Sequence, residues 1–270
     1  MSTASENSVP ATSAAATASP AITPALAVHG ATKRFGAVLA LENVDLHVHS
    51  GEVLALLGDN GAGKSTLIKC ISGVHRLDAG SIEIDGTPVS MSTPAVARAA
   101  GIETVYQDLA LFDNLDSTAN FFAGRKIAVP SWLPRGLRWM RRGEMARQST
   151  ELVGRLKITL PQRASSVGLM SGGQRQAIAV ARTAAFASRV VILDEPTAAL
   201  GLRESRQVLD LILNLKNEGC AVIVISHAMD HVMEIADRAV VMRRGRVVGE
   251  EIPTAQSRTR LVSLIVGGDE

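Results

Sequence analysis

At 270 residues, with a formal net charge of +2, 46% hydrophobic and only 3% aromatic residues, the chain is sized for one α/β domain carrying a small helical subdomain. That charge is too small to make nucleic acid the main partner. Cys70 and Cys220 lie in apolar runs and offer neither a disulfide framework nor metal-ligand spacing. The longest strand-like apolar runs, about six residues, fall far short of the roughly 20 of a membrane span, so a soluble cytoplasmic protein is expected, linked to any membrane only through a partner.

Residues 1–24 are rich in Ser, Ala, Thr and Pro and lack both a basic start and a continuous apolar core, which predicts a disordered tail and not a signal peptide. An ordered domain is expected over residues 25–254. Leu26–Phe35, Val44–His49 and Ser81–Asp85 alternate or cluster apolar residues as antiparallel strands do, with Val44, Leu46 and Val48 on one face. Glu52–Leu57 reads as a short buried strand, and Ser65–Ser72 as an apolar-periodic helix. Between them runs Gly58-Asp59-Asn60-Gly61-Ala62-Gly63-Lys64-Ser65-Thr66, a glycine-rich loop in the strand-to-helix setting that a phosphate cradle requires. Gly61 and Gly63 let successive N–H groups turn onto phosphate oxygens, and the helix N-terminus adds partial positive charge. Lys64 can reach β- and γ-phosphates, and the Ser65 hydroxyl can ligate Mg²⁺.

Residues 115–160 read as largely helical. From Ser117 to Gly143 the charged residues are all basic: Arg125, Lys126, Arg135, Arg138, Arg141 and Arg142, interleaved with Trp132, Leu133, Leu137 and Trp139. This is either a surface for a membrane partner's loops or anionic headgroups, or a solvated helical face with the tryptophans in a local core. Ser171-Gly172-Gly173-Gln174 open a helix running to about Ser188, where a serine hydroxyl and glycine N–H groups form an anion site. Val190-Val191-Ile192-Leu193 fits a central parallel strand that delivers Asp194 and Glu195 at its carboxyl end. Asp194 is placed to hold Mg²⁺ through water and Glu195 to act as general base on an attacking water. The alternative is two acids ending a strand at a solvated turn.

Beyond Leu202, residues Val208, Leu209, Leu211, Ile212 and Leu215 mark an amphipathic helix ended at Gly219. Ala221–Ser226 is a strand followed by His227, which alone reads equally as a satisfied turn residue. Ala239–Val248 predicts a hairpin turning at Gly245, and a short helix over Leu261–Val266 closes the C-terminal segment 255–270.

These motifs, in this order, resemble the ATP-binding subunit of ABC transporters from about Ala27 to Gly249. Walker A corresponds to Gly58–Thr66, Walker B to Val190–Asp194, and the signature to Met170-Ser171-Gly172-Gly173-Gln174. The Q-loop glutamine corresponds to Gln107, the switch histidine to His227, and the base-stacking aromatic to Phe35, which on composition alone could also be core. The resemblance implies a P-loop NTPase fold: an α/β protein with a mostly parallel central sheet, a small antiparallel β-subdomain and a helical subdomain inserted over about 110–185. It implies ATP and Mg²⁺ as cofactors, with the metal near Ser65, Gln107 and Asp194, and catalysis by Glu195, His227 and Gln107. It further implies a head-to-tail homodimer in which Ser171, Gly172, Gly173 and Gln174 cap the nucleotide of a second copy. Permease subunits and an extracytoplasmic sugar-binding protein are the implied partners, with the chain peripheral on the cytoplasmic face of the inner membrane. Met170 stands in place of the usual leucine, a nearly volume-conserving change. Gly201 stands where the family commonly has an aspartate, which removes a carboxylate from the dimer contact. The stretches Gly101–Leu115 and Ala198–Gly201 are similar to the ribose, xylose and fructose branch of carbohydrate importers. Other transport substrates, a soluble ABC ATPase acting on DNA or ribosomes, and an ATP-binding regulator are the competing readings.

Overall fold

The computed structural model describes residues 23–106, 109–123, 128–129, 139–155, 166–186, 188–198 and 200–267. In chain order, β1 (Leu26–Phe35) and β2 (Val38–Val48) form a hairpin that leads into β3 (Val53–Leu57), the phosphate loop and α1 (Lys64–Ile71). Next come β4 (Ala79–Ile84), β5 (Thr87–Pro88), α2 (Pro94–Ala99) and β6 (Ile102–Val105). α3 (Ser117–Phe121), β7 (Ala128–Val129), β8 (Trp139–Met140) and α4 (Arg142–Arg155) precede a 3-10 turn at Val167–Leu169 and α5 (Gly172–Phe186). The chain continues through β9 (Val190–Asp194), α6 (Leu202–Asn217), β10 (Ala221–Ile225) and α7 (Met229–Ile235). It closes with β11 (Arg238–Arg243), β12 (Arg246–Glu251) and α8 (Arg258–Val266).

Two sheets of different character result. The outer sheet is antiparallel in the order β2-β1-β4-β5, and the central sheet has the order β12-β11-β3-β10-β9-β6, parallel throughout except for β12. Every residue of β3, β9 and β10 is buried, as strands covered on both faces must be. Their alternate residues divide between two cores. Leu54, Leu56, Ile192 and Ile223 pack with Leu67, Ile68 and Ile71 of α1 and with Val28, Val44 and Leu46 of the outer sheet. Val53, Val191, Leu193, Val222 and Val224 pack instead with Val180 of α5 and with Val208, Leu211 and Ile212 of α6. Each fully buried aliphatic side chain contributes about 1.5–3 kcal/mol, so these runs hold the domain together.

The amphipathic α6 ends as its sequence requires. Gly219 takes a left-handed conformation with φ of 87°, its N–H bonding the Lys216 carbonyl while the Cys220 N–H bonds that of Leu215. Over 115–160 the largely helical expectation needs correction, because α3 and α4 are separated by the antiparallel ribbon β7–β8. Trp139 and Met140 sit in that ribbon, where an aromatic favours an extended chain over a helix. α3, α4 and α5 meet in a separate cluster of Phe121, Phe122, Met145, Val167 and Ile178. Residues 1–22, Gln107 and the basic residues Arg125, Lys126, Arg135 and Arg138 lie outside the described residues. Among the described residues, no helix is long and apolar enough to cross a membrane.

Candidate nucleotide site

Parallel pairing brings the working ends of the central strands level. Ile225 of β10 stands opposite both Asp194 of β9 and Leu56 of β3, and Val105 of β6 opposite Leu193. The loops leaving β3, β9 and β10 therefore emerge at one edge, carrying the phosphate loop, Glu195 and His227 respectively. Helix α1 starts at Lys64 with its first N–H groups uncapped by any side chain, leaving them for an anion.

A cleft of about 320 Å³ follows the loop, lined by Val38, Leu39, Ala40, the stretch Asp59 to Thr66, Arg244 and Gly245. Two glycines are dictated by close approach. A Cβ at Gly58 would collide with the Met242 carbonyl, and one at Gly63 would lie 2.8 Å from the Ala40 carbonyl; both have positive φ. The β11–β12 turn is stitched to this loop. The Gly245 N–H donates to the Ala62 carbonyl at 2.9 Å, and the Glu42 N–H to the Gly245 carbonyl at 2.8 Å.

Lys64 is buried, and its ammonium donates to the Gly58 and Asp59 carbonyls at 2.5 and 3.0 Å. Burial lowers its pKa, while the Glu195, Asp194 and Asp59 carboxylates push it back up. Asp194 is buried, and burial raises its pKa against the pull of Lys64, His227 and Lys69. Burial also raises Glu195, partly offset by His227 and augmented by Asp194. The Glu195 Oε1 atom is buried and has no hydrogen-bond partner; the His227 Nε2 atom lies 3.3 Å from it. Asp194 is buried and Glu195 partly so, and neither is among the residues lining the cleft; the Asp194 carboxyl and the Ser65 hydroxyl on the first turn of α1 are oxygen donors of the kind Mg²⁺ takes.

The remaining residues singled out in the sequence lie elsewhere or beyond description. Phe35 is half-exposed at the end of β1 and is not among the residues lining the cleft. Its ring meets His75 edge-on at 5.1 Å, with Lys33 Nζ 5.5 Å from its centre. Ser171 and Gln174 cap α5 reciprocally, the Gln174 N–H donating to Ser171 Oγ at 3.3 Å and the Ser171 N–H to Gln174 Oε1 at 3.1 Å. This turn, with Gly172 and Gly173, does not line the chain's own cleft. Gln107 lies outside the described residues, but Tyr106 before it bonds Ser72 at the end of α1 at 2.6 Å.

Sequence reasoning missed the Arg244–Gly245 rim and Gln176, whose side chain bonds the Glu195 carbonyl. The one legible signal was a glutamine on the apolar stripe of α5, beside Ala179 and Val180. A larger cleft of about 480 Å³ lies between β2 and β11–β12, but its arginines, Arg238 and Arg246, are already paired with Glu52, Glu250 and Glu42.

The profile of the ABC transporter family matches residues 41–198. The chain belongs to that family. This ATP-binding cassette is 45% identical over 248 residues to a fructose import ATP-binding protein of Rhizobium meliloti, covering 92% of the chain and 95% of the relative. It is 44% identical over 223 residues to a xylose/arabinose import ATP-binding protein of Sulfolobus acidocaldarius, covering 83% and 86%. Among solved structures, a nucleotide-free ATP-binding cassette from an ABC transporter superposes with a TM-score of 0.78 over 90% of this chain and 97% of that one. At 24% identity, that likeness speaks for the fold alone. The cassette is thus the ATP-binding subunit of an ABC transporter, with the ATPase fold its motifs imply.

Proposed function

We propose that two copies of this cassette close around Mg-ATP, hydrolyse it, and so drive sugar import through a membrane permease at the cytoplasmic face of the inner membrane. The observation that carries the catalytic part is Glu195 Oε1, a buried acceptor without a partner, set beside the phosphate loop at the end of β9. Lys64 leaves the Gly58 and Asp59 carbonyls for β- and γ-phosphate oxygens, which compensate its buried charge. Glu195 accepts a hydrogen bond from the attacking water and takes its proton as the water oxygen bonds the γ-phosphorus and the bond to ADP breaks. His227, 3.3 Å from that carboxylate and largely exposed, fixes its direction and is open to the terminal phosphate. Ser65 and Asp194 would hold Mg²⁺, which would supply positive charge to neutralise the phosphates. Gln107 is the further residue proposed at the metal and attacking water, and Phe35 the one proposed at the base.

The Ser171–Gln174 turn is exposed and stands apart from its own cleft, which suits an anion site completed on a second copy. Sugar as cargo rests on the fructose and xylose/arabinose import relatives. The decisive test is Glu195→Gln. Turnover falls at least 100-fold, ATP is still bound, and sedimentation in Mg-ATP shows a dimer. Turnover at the parent rate, or monomers only in saturating Mg-ATP, overturns the reading. Capture of the permease, followed by sugar binding to its extracytoplasmic receptor, tests the cargo.

A further inference from the structure

Glu195 is a non-glycine residue at φ of 50°, a left-handed conformation that costs about 1–2 kcal/mol for a residue with a Cβ. Something must hold it there. Its N–H donates to the Ile225 carbonyl at 2.9 Å, tying it to β10. Its carbonyl accepts two hydrogen bonds, from the Ala198 N–H at 3.1 Å and from Gln176 Nε2 at 3.0 Å. The first is local to the turn. The second comes from a different element, nineteen residues earlier in the chain.

Gln176 belongs to α5 and is buried on a face it shares with Ala179, Val180 and Thr183. An amide on that face is costly unless bonded, and the Glu195 carbonyl supplies an acceptor. Helix α5 begins four residues earlier, at Gly172 within the Ser171–Gln174 turn, whose reciprocal cap fastens its first turn. One short helix therefore displays the anion-binding turn at its start and grips the backbone of the general base about one turn later.

We infer that Gln176 is a positioning residue for hydrolysis: its side-chain amide locks the Glu195 backbone in the left-handed conformation that sets the carboxylate beside His227, and thereby links the signature turn to the base of the same copy. The inference rests on Glu195 being the base. Without the Gln176 donor, the carbonyl keeps only Ala198, the peptide can return to the ordinary φ region, and the carboxylate swings from its buried position toward solvent.

The test uses the full-length protein with Gln176→Met, close in volume but without a donor, and Gln176→Glu, a carboxylate that donates only when protonated. The expected result for Gln176→Met is a kcat lowered roughly 10- to 100-fold, as for a catalytic group displaced by about an ångström, with ATP affinity within about twofold of the parent. Gln176→Glu shows the same loss near neutrality, and the gap to the parent narrows as pH falls. A parent-like kcat in the variants overturns the inference, as does an equal fall in kcat and ATP affinity. If Gln176→Met does not fold, Gln176→Glu decides by the same criteria. Glu195→Gln is run alongside. Full turnover there sinks the base assignment itself, whereas an inactive Glu195→Gln with parent-like Gln176 variants sinks only the role of Gln176.

Discussion

The two ends of the central sheet withdraw carboxylates from solvent, Glu52 at one and Asp194 with Glu195 at the other, and treat them in opposite ways. At the amino end, Glu52 before β3 accepts from Arg238 Nε at 2.8 Å and from the His49 N–H at 2.7 Å. Asp237 accepts from the Val53 N–H at 2.9 Å and from Lys216 at 2.5 Å. Arg238 also reaches Glu250 at 3.0 Å and the His47 carbonyl at 2.5 Å. Burial pushes Glu52 up, but Arg238 and the His49 N–H outweigh it, and the carboxyl ends below its ordinary value. At the carboxyl end, Asp194 and Glu195 meet burial with too little positive charge, and both end above theirs. Depth alone therefore says little about role. A buried acid whose partners come from the chain is structural, and one left short of them is waiting for a ligand.

The sharpest way to break this contrast is Lys64→Ala, which removes the one buried cation of the working end among the described residues. ATP turnover should fall roughly 100-fold, and the protein should stay folded by circular dichroism, because the lost bonds are to loop carbonyls. Arg238→Ala is the reciprocal change. It leaves Glu52 buried without its main partner and should cost about 2 kcal/mol, below the usual range for a broken buried pair because both side chains keep some solvent access. Chemical denaturation should show that loss with the KM for ATP unchanged.

The smallest effect is in pH. Glu52, depressed, contributes stability above its unfolded value of 4.5, and that contribution is lost as pH falls through its lower folded value. Asp194 and Glu195, raised, cost stability above their ordinary range, and that cost is relieved as pH falls through their folded values. The acid limb of kcat/KM, which reports the free enzyme, should accordingly lie above 4.5, the ordinary value for a glutamate, and a limb at or below it would remove Glu195 as the titrating base.

The working end was legible because its motifs are contiguous. The run Val190–Leu193 announces a strand covered on both faces, and Gly58–Thr66 carries its strand-to-helix context on either side. β6 escaped because its Glu103 and Thr104 interrupt any apolar run, as an edge strand permits, and α2 and α7 are too short to show a period. The amino-end network escaped for a different reason: Glu52 and Arg238 are far apart in sequence, and only the parallel pairing of β3 with β11 makes them neighbours. Phe35 was legible as a residue but not as a place, since the position of its ring depends on His75 and Lys33. Gln176 was readable as a polar residue on an apolar stripe, but its acceptor was not, because a side chain bonding a distant backbone carbonyl leaves no spacing behind.

The bonds from Gly245 to Ala62 and from Glu42 to Gly245 carry a consequence for synthesis. A growing polypeptide has its phosphate loop early, yet the cleft's rim is finished only when a turn some 180 residues later arrives to brace it. On the ribosome the nascent cassette therefore stays without the braced rim of its phosphate loop until that turn has been made, and a chain broken off before Gly245 cannot form it.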